Sequence, residues 1–352
     1  MKRILYGLLL FILCNFSFAR TMNLFIADNY LANSTVQRFE AACHCTLNIS
    51  YFSGNENMMA KIIAGQTGYD VIVATGYAIE TLNKAGKLSP LDLSRLPNLK
   101  YIAKPYLNRA YDPTNAYSVP YAYTPVLIGY NKAVIQQLKL DPTSWAILFD
   151  PKILRKIANK VTVFDESRNV FAAALLYLGK DPNSGNPADL EKAYAVIQNA
   201  KPFWRKFDTD AYYKSLQDGE IFVAMSYSDD LYLSLKDAHE FHLPLQMGGS
   251  LQKEGNMMEL DNCVIPTASV NKDLAYLFIN TVLDPQSAYE LATMTGASIP
   301  NTMALQTLKQ TNPLLANTDW IYPKKMNKLY NFVAYPPKIR RYLDGLWTKI
   351  KS

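Results

Sequence analysis

The sequence predicts a two-lobed α/β protein with mostly parallel sheets, and two observations carry that prediction. The opening segment alternates strand-like and helical patterns in the order strand, helix, strand, helix, strand, which signals a parallel sheet. The chain also has 352 residues. That is too long for one ordinary core and comfortable for two, even after a leader is set aside.

The leader comes first. Lys2 and Arg3 precede an apolar run over residues 4–16, and Ser17-Phe18-Ala19 offers small residues at a cleavage site. The run is shorter than the ~20 residues of a membrane span. Leu13 before Cys14 is bulky where a lipoprotein signal wants a small residue. Residues 1–19 are therefore read as a signal peptide, with a soluble exported chain starting at Arg20.

Asn23-Leu24-Phe25-Ile26-Ala27 reads as the first strand, followed by Asp28-Asn29-Tyr30 in a loop and a helix through Val36 and Phe39. Residues 47–52 alternate as a second strand. Met58, Met59, Ile62 and Ile63 recur at helical spacing after the polar opening Asn55-Glu56-Asn57. Val71-Ile72-Val73-Ala74 is a continuous apolar run, as expected of a parallel strand buried on both faces. Ile79, Leu82 and Ala85 restart the helical period, and Gly86 stands where a helix-ending glycine belongs. The loop Thr75-Gly76-Tyr77 then falls at the carboxyl end of a strand, the edge where open α/β sheets bind ligands.

The second half repeats the logic. Residues 161–164 form a strand ending in Asp165-Glu166-Ser167, and Val170, Phe171, Ala174 and Leu175 form a helical stripe. A helix over 212–217 stops at Asp218-Gly219. Residues 221–225 are the next buried strand, and the loop Ser226-Tyr227-Ser228 leads to Asp229-Asp230 at a helix start. Leu277, Phe278, Thr281 and Val282 share a helix face with Pro285 beyond it. Ile339, Tyr342, Leu343, Leu346, Trp347 and Ile350 mark a closing helix.

Composition excludes several function classes. The net charge of +6 falls to +4 without Lys2 and Arg3, and no basic cluster with interleaved aromatics appears, so nucleic-acid binding is not expected. Cys43-His44-Cys45 lacks the pair-plus-pair spacing of a zinc site, so no metal and no cofactor are expected there. A free or bridged surface pair is the plain reading, and Cys263 reads as core. His239-Glu240-Phe241-His242 lacks the metalloprotease spacing, and no nucleophile elbow or phosphate-binding glycine loop is present. An enzyme is not expected. Tyr212-Tyr213 falls inside a helix and reads as packing.

Beside these patterns stands a resemblance. Asn55-Glu56-Asn57-Met58 with Lys61, Asp70-Val71-Ile72-Val73 and Thr75-Gly76-Tyr77 resemble segments of the polyamine-binding (spermidine/putrescine) periplasmic proteins of ABC importers. Similar stretches follow in the same order. They are Ser118-Val119-Pro120-Tyr121, Ile128-Gly129-Tyr130-Asn131, Ser144-Trp145, residues 177–184, Lys253-Glu254-Gly255 and Trp347-Thr348-Lys349. The resemblance implies the type II periplasmic binding fold, with a hinge between two lobes. It assigns 20–124 and 260–305 to lobe one, and 125–259 and 306–352 to lobe two.

It also implies a set of ligand contacts: Asp28, Tyr30, Thr75, Tyr77, Glu166, Asn169, Tyr227, Asp230, Glu259 and Asp261. Carboxylates suit the charged ends of an amine, and aromatic faces suit its ammonium and methylenes. Each residue also has a plainer reading. Asp230 would serve as a helix cap, Asp261 as a turn residue, Tyr77 as packing and Asp28 as a solvated acid.

Departures from the family pattern weigh as much as the matches. The family has tryptophan at the positions of Asp28 and Tyr227, bulky aromatics near Glu259, a carboxylate at Asn169 and a ligand-facing tyrosine at Ala297. The four tryptophans, Trp145, Trp204, Trp320 and Trp347, are expected to lie outside the site. The expected protein is a monomeric periplasmic carrier of a small cation, a polyamine foremost, that docks on ABC permease subunits. Two alternatives stand beside it: a sensor docking on a membrane receptor, and binding of a non-polyamine cation.

Overall fold

The computed structural model describes residues 20–352 apart from 53, 67, 243–246, 317, 325 and 327 and the side chains of 239 and 314. The expected leader, 1–19, lies outside the described residues. No helix among the described residues is long and apolar enough to cross a membrane.

The strands are β1 (Arg20–Ala27), β2 (Cys45–Phe52), β3 (Val71–Thr75), β4 (Val119–Asn131), β5 (Val161–Val163), β6 (Lys206–Phe207), β7 (Val223–Tyr227), β8 (Met247–Ser250), β9 (Asn256–Val264) and β10 (Leu329–Tyr330). Their spatial order is β2-β1-β3-β9-β4-β7-β5-β6, with β8 on β4 and β10 on β9. The pairs β1–β2, β1–β3, β5–β6 and β5–β7 are parallel. Helices complete the crossovers, as parallel connections require.

β4 and β9 join the two lobes. The first half of β4 lies antiparallel on β9, from Val119 opposite Cys263 to Pro125 opposite Met258. Its second half lies between β7 and β8 in the other lobe, with Gly129 opposite Ala224 and Gly249. β9 in turn pairs with β3 at Ile72–Thr75 and Val264–Asp261. One continuous ribbon of two strands therefore spans the interlobe boundary.

Period-two alternation packs the first lobe on both faces. Met22, Leu24, Ile26, Val71 and Val73 join one buried cluster with Phe39 and Phe278. Phe25, Ile72 and Ala74 point the other way, onto Met58, Ile62, Ile79 and Leu82. The fully buried run Val71–Thr75 thus has the double-sided cover its sequence predicts.

The second lobe has its own cluster, built by Val126–Ile128 of β4, β5, β7 and the helix Ser167–Tyr177. The closing helix Pro337–Lys351 adds Leu343, Leu346 and Ile350 to it. The lobe boundary expected at 305 falls inside the helix Thr302–Thr311, whose Ala304 and Leu308 both pack in the first-lobe cluster.

Two local details differ from the sequence reading. Thr75-Gly76-Tyr77 is not a loop, because β3 ends at Thr75 and a helix, Gly76–Lys84, starts at once. A Cβ on Gly76 would lie 2.3 Å from the Tyr111 ring, so glycine is what lets that ring pack against the junction. Ser226 and Tyr227 likewise belong to β7, and the next helix begins at Ser228. Cys43 and Cys45 form a disulfide, and Cys263 is free and buried.

Candidate functional site

The site assembles at the carboxyl ends of parallel strands, where chain direction delivers side chains into the interlobe cleft. β1 is followed by Asp28 and Tyr30, and β2 by Asn55 and Glu56 at the start of the helix Asn55–Ile63. β3 delivers Tyr77 in the first turn of its helix. β5 leads to Glu166, Arg168 and Asn169, and β7 to Tyr227 and Asp229. Glu259 and Asp261 arrive differently. Both lie within β9, two residues apart and hence on the same face of that strand. The plainer reading of Asp261 as a turn residue does not hold.

Two chambers result. The larger, about 500 Å³, is lined by Glu56, Tyr77, Glu166, Arg168, Asn169 and Phe332 among others. The smaller, about 310 Å³, is lined by Asp28, Tyr30, Thr124, Asp229 and Asp261. Both are also lined by Gly54, Asn55, Tyr227 and Glu259, so they are compartments of one cleft.

Hydroxyls hold the carboxylates. The Tyr30 hydroxyl donates to Asp261 Oδ2 at 3.0 Å, and Tyr121 Oη donates to the Tyr30 carbonyl at 2.6 Å. Tyr77 Oη donates to Glu56 Oε1 at 2.9 Å. Glu166 Oε2 accepts from Tyr227 Oη at 3.0 Å and from Asn169 Nδ2 at 2.6 Å. The rings that would face a ligand are thereby fixed in orientation by the acids that would bind its charges.

The electrostatics are one-sided. Burial, then Glu166, Asp261 and Glu56, pushes the Glu259 carboxyl up to about 8. Burial, then Asp230 and Asp261, pushes Asp229 up to about 7. Burial pushes Asp261 up to about 6, against the opposing pull of the Tyr30 hydroxyl. Glu166 is also raised, chiefly by burial. Ionised carboxylates crowded in a poorly solvated cleft oppose one another until positive charge joins them.

Arg168 supplies part of that charge on the larger chamber's side. Its guanidinium stacks on Tyr335 at 4.0 Å and Phe332 at 4.7 Å, and donates from Nη2 to the Val333 carbonyl at 3.0 Å. Burial lowers its pKa.

Eight of the sequence-predicted residues meet in this cleft: Asp28, Tyr30, Tyr77, Glu166, Asn169, Tyr227, Glu259 and Asp261. Thr75 and Asp230 line neither chamber. Thr75 is buried at the end of β3, with Oγ1 lacking a hydrogen-bond partner. Asp230 Oδ2 accepts from Tyr212 Oη at 2.8 Å, and the same hydroxyl accepts from the Tyr227 amide. Its neighbour Asp229 lines the chamber instead.

Trp347 borders the larger chamber, which corrects the expectation that every tryptophan lies elsewhere. Ala297 is fully buried in the first-lobe cluster. Asn55, Glu56, Arg168, Asp229 and Phe332 are further lining residues. Asn55 and Glu56 were visible as a polar helix opening, and Asp229 as half of an acidic pair. Phe332 carried no local signal.

A cleft between two lobes, closed at its back by two continuous strands and lined by acids and aromatic rings, defines a binding protein for a small solute. The chain belongs to the bacterial extracellular solute-binding protein family, whose model matches residues 34–317. It is 40% identical over 335 residues to a putrescine/cadaverine-binding protein of Pseudomonas aeruginosa, covering 95% of this chain and 94% of that one. It is 31% identical to the putrescine-binding periplasmic protein PotF of Escherichia coli, covering 95% and 92%. A solved structure from Listeria monocytogenes, described as a candidate spermidine/putrescine ABC transporter, superposes with a TM-score of 0.82. It is 28% identical, with 95% and 99% coverage. The fold is thus the two-lobed periplasmic binding architecture, and the family is one of solute carriers, not enzymes.

Proposed function

We propose that the protein captures a linear polyamine in the periplasm and delivers it, as a monomer, to the membrane subunits of an ABC importer. One observation carries the reading: the acids of both chambers converge on a single cleft, and Glu259, Asp229 and Asp261 are all raised there. A flexible chain with an ammonium at each end supplies two charges to two acidic chambers, and its methylenes meet Tyr30, Tyr77, Tyr227 and Phe332. The names of the relatives support the same class of ligand.

Capture would proceed by closure of the lobes about β4 and β9, with tighter binding to the closed form shifting the population. A thermal-shift screen tests the proposal. Putrescine, cadaverine or spermidine is expected to raise the melting temperature, whereas anions and neutral sugars leave it unchanged. Stabilisation by an anion or sugar, with none from any organic cation, would overturn the reading.

A further inference from the structure

Glu259 occupies a singular place in the cleft. It is the acid that lines both chambers, with Asp261 and Asp229 on one side and Glu56 and Glu166 on the other. It projects from the middle of β9, so its backbone is fixed by a strand and not by a mobile loop. Among the described residues no lysine or arginine forms an ion pair with it. Arg168, the nearby cation, is committed to the Val333 carbonyl and to the rings of Tyr335 and Phe332.

We propose that Glu259 reads the middle of the ligand, pairing with an internal secondary ammonium, so that the cleft selects a linear triamine over a diamine of equal length. The inference rests on the polyamine reading above. A chain lying across both chambers must pass the residue they share. If that passing segment were methylene, the Glu259 carboxylate would be desolvated against Glu166, Asp261 and Glu56 with only the partial relief that Arg168 and the Asn169 amide give.

Spacing fits as well. Glu259 and Asp261 are two strand positions apart, about 7 Å, within reach of a three- or four-carbon link between nitrogens. A secondary ammonium also has two N–H donors to place. Asn169 Oδ1 is a buried acceptor with no hydrogen-bond partner, and its amide bears directly on Glu259. Glu259 and Asn169 thus offer one acceptor to each donor.

Spermidine and 1,8-diaminooctane isolate the effect, because they share length and terminal amines and differ only in the central nitrogen. In titration calorimetry the unaltered protein is expected to bind spermidine at least ~10-fold more tightly, the size of a charged hydrogen bond. Glu259→Gln, which keeps the side-chain size, is expected to bring the two affinities within about twofold. Titrations in two buffers of different ionisation enthalpy are expected to show more protons released with spermidine than with the diamine, and no difference in Glu259→Gln.

Equal affinities in the unaltered protein would overturn the proposal without any variant. An undiminished preference in Glu259→Gln would overturn it too. Failure of both amines to bind the unaltered protein would instead defeat the polyamine reading, and this inference with it.

Discussion

Raising the pH of the ligand-free protein from about 5 to about 8.5 is expected to lower its stability, and a bound organic cation is expected to remove that loss. The sign follows from the cleft carboxyls. Unfolded aspartate and glutamate lose their protons near 3.8 and 4.5, whereas in the folded chain Asp261, Asp229 and Glu259 hold theirs to about 6, 7 and 8. Through that window the native state binds more protons than the unfolded state, so stability falls as pH rises.

The groups facing Glu259 reinforce the trend. Glu56, Glu166 and Asp261 raise it, Tyr77 and Tyr227 are neutral throughout, and Arg168 offers partial relief from lobe two. Each pH unit over which the native state alone holds such a proton costs about 1.4 kcal/mol, so three carboxyls together lower stability by several kcal/mol across the range. Glu290, held down to about 2 mainly by its bonds to Arg38 and Ser34 against the opposing effect of burial, has delivered its contribution before the window opens. Melting temperatures across this range, with and without putrescine, check the account. A ligand-free melting temperature that is level or rises with pH would contradict it.

Asp261→Asn is expected to weaken polyamine binding by ~1.5–3 kcal/mol, the usual worth of a charged hydrogen bond, or roughly 10- to 150-fold. Folding should not suffer. The substitution removes a desolvated charge, keeps the volume and retains an acceptor for Tyr30 Oη. Asp230→Asn supplies the contrast, because that side chain turns from both chambers to Tyr212. Its affinity should change less than about threefold, below the size of a lost charged contact. Calorimetry on both variants decides, and equal losses would mean that Asp261 acts through the general field of the cleft and not by contact.

What was legible in the sequence was local. The uninterrupted run Val71-Ile72-Val73-Ala74, the stripe of Met58, Met59 and Ile62 (its expected fourth member, Ile63, is exposed), and the spacing of Leu343, Leu346 and Ile350 each report burial through a local pattern. Strand ends were legible too and set Asp28, Tyr30, Tyr77, Glu166 and Tyr227 at the binding edge, while the family resemblance singled them out as contacts.

Pairing across the sheet was not legible in that way. Nothing near residues 256–264 says that this strand runs antiparallel between β3 and β4. A turn was therefore the plainer reading of Asp261, although polar side chains on the cleft face of a long strand account for it and for Glu259. Asp229 and Asp230 show a second limit. Adjacent positions on a helix differ by about 100° in direction, and only tertiary packing says which one faces the ligand. Phe332, Tyr335 and Arg168 meet across more than 160 residues of chain, beyond any local pattern.

A crystal structure of the purified protein grown with putrescine tests the central claim most directly. The account predicts the diamine between the lobes, with its ammonium groups within ~3 Å of cleft carboxylates, Asp261 among them, and its methylenes against Tyr77 or Tyr227. Putrescine bound elsewhere, or a cleft filled by an anion in its presence, would contradict it.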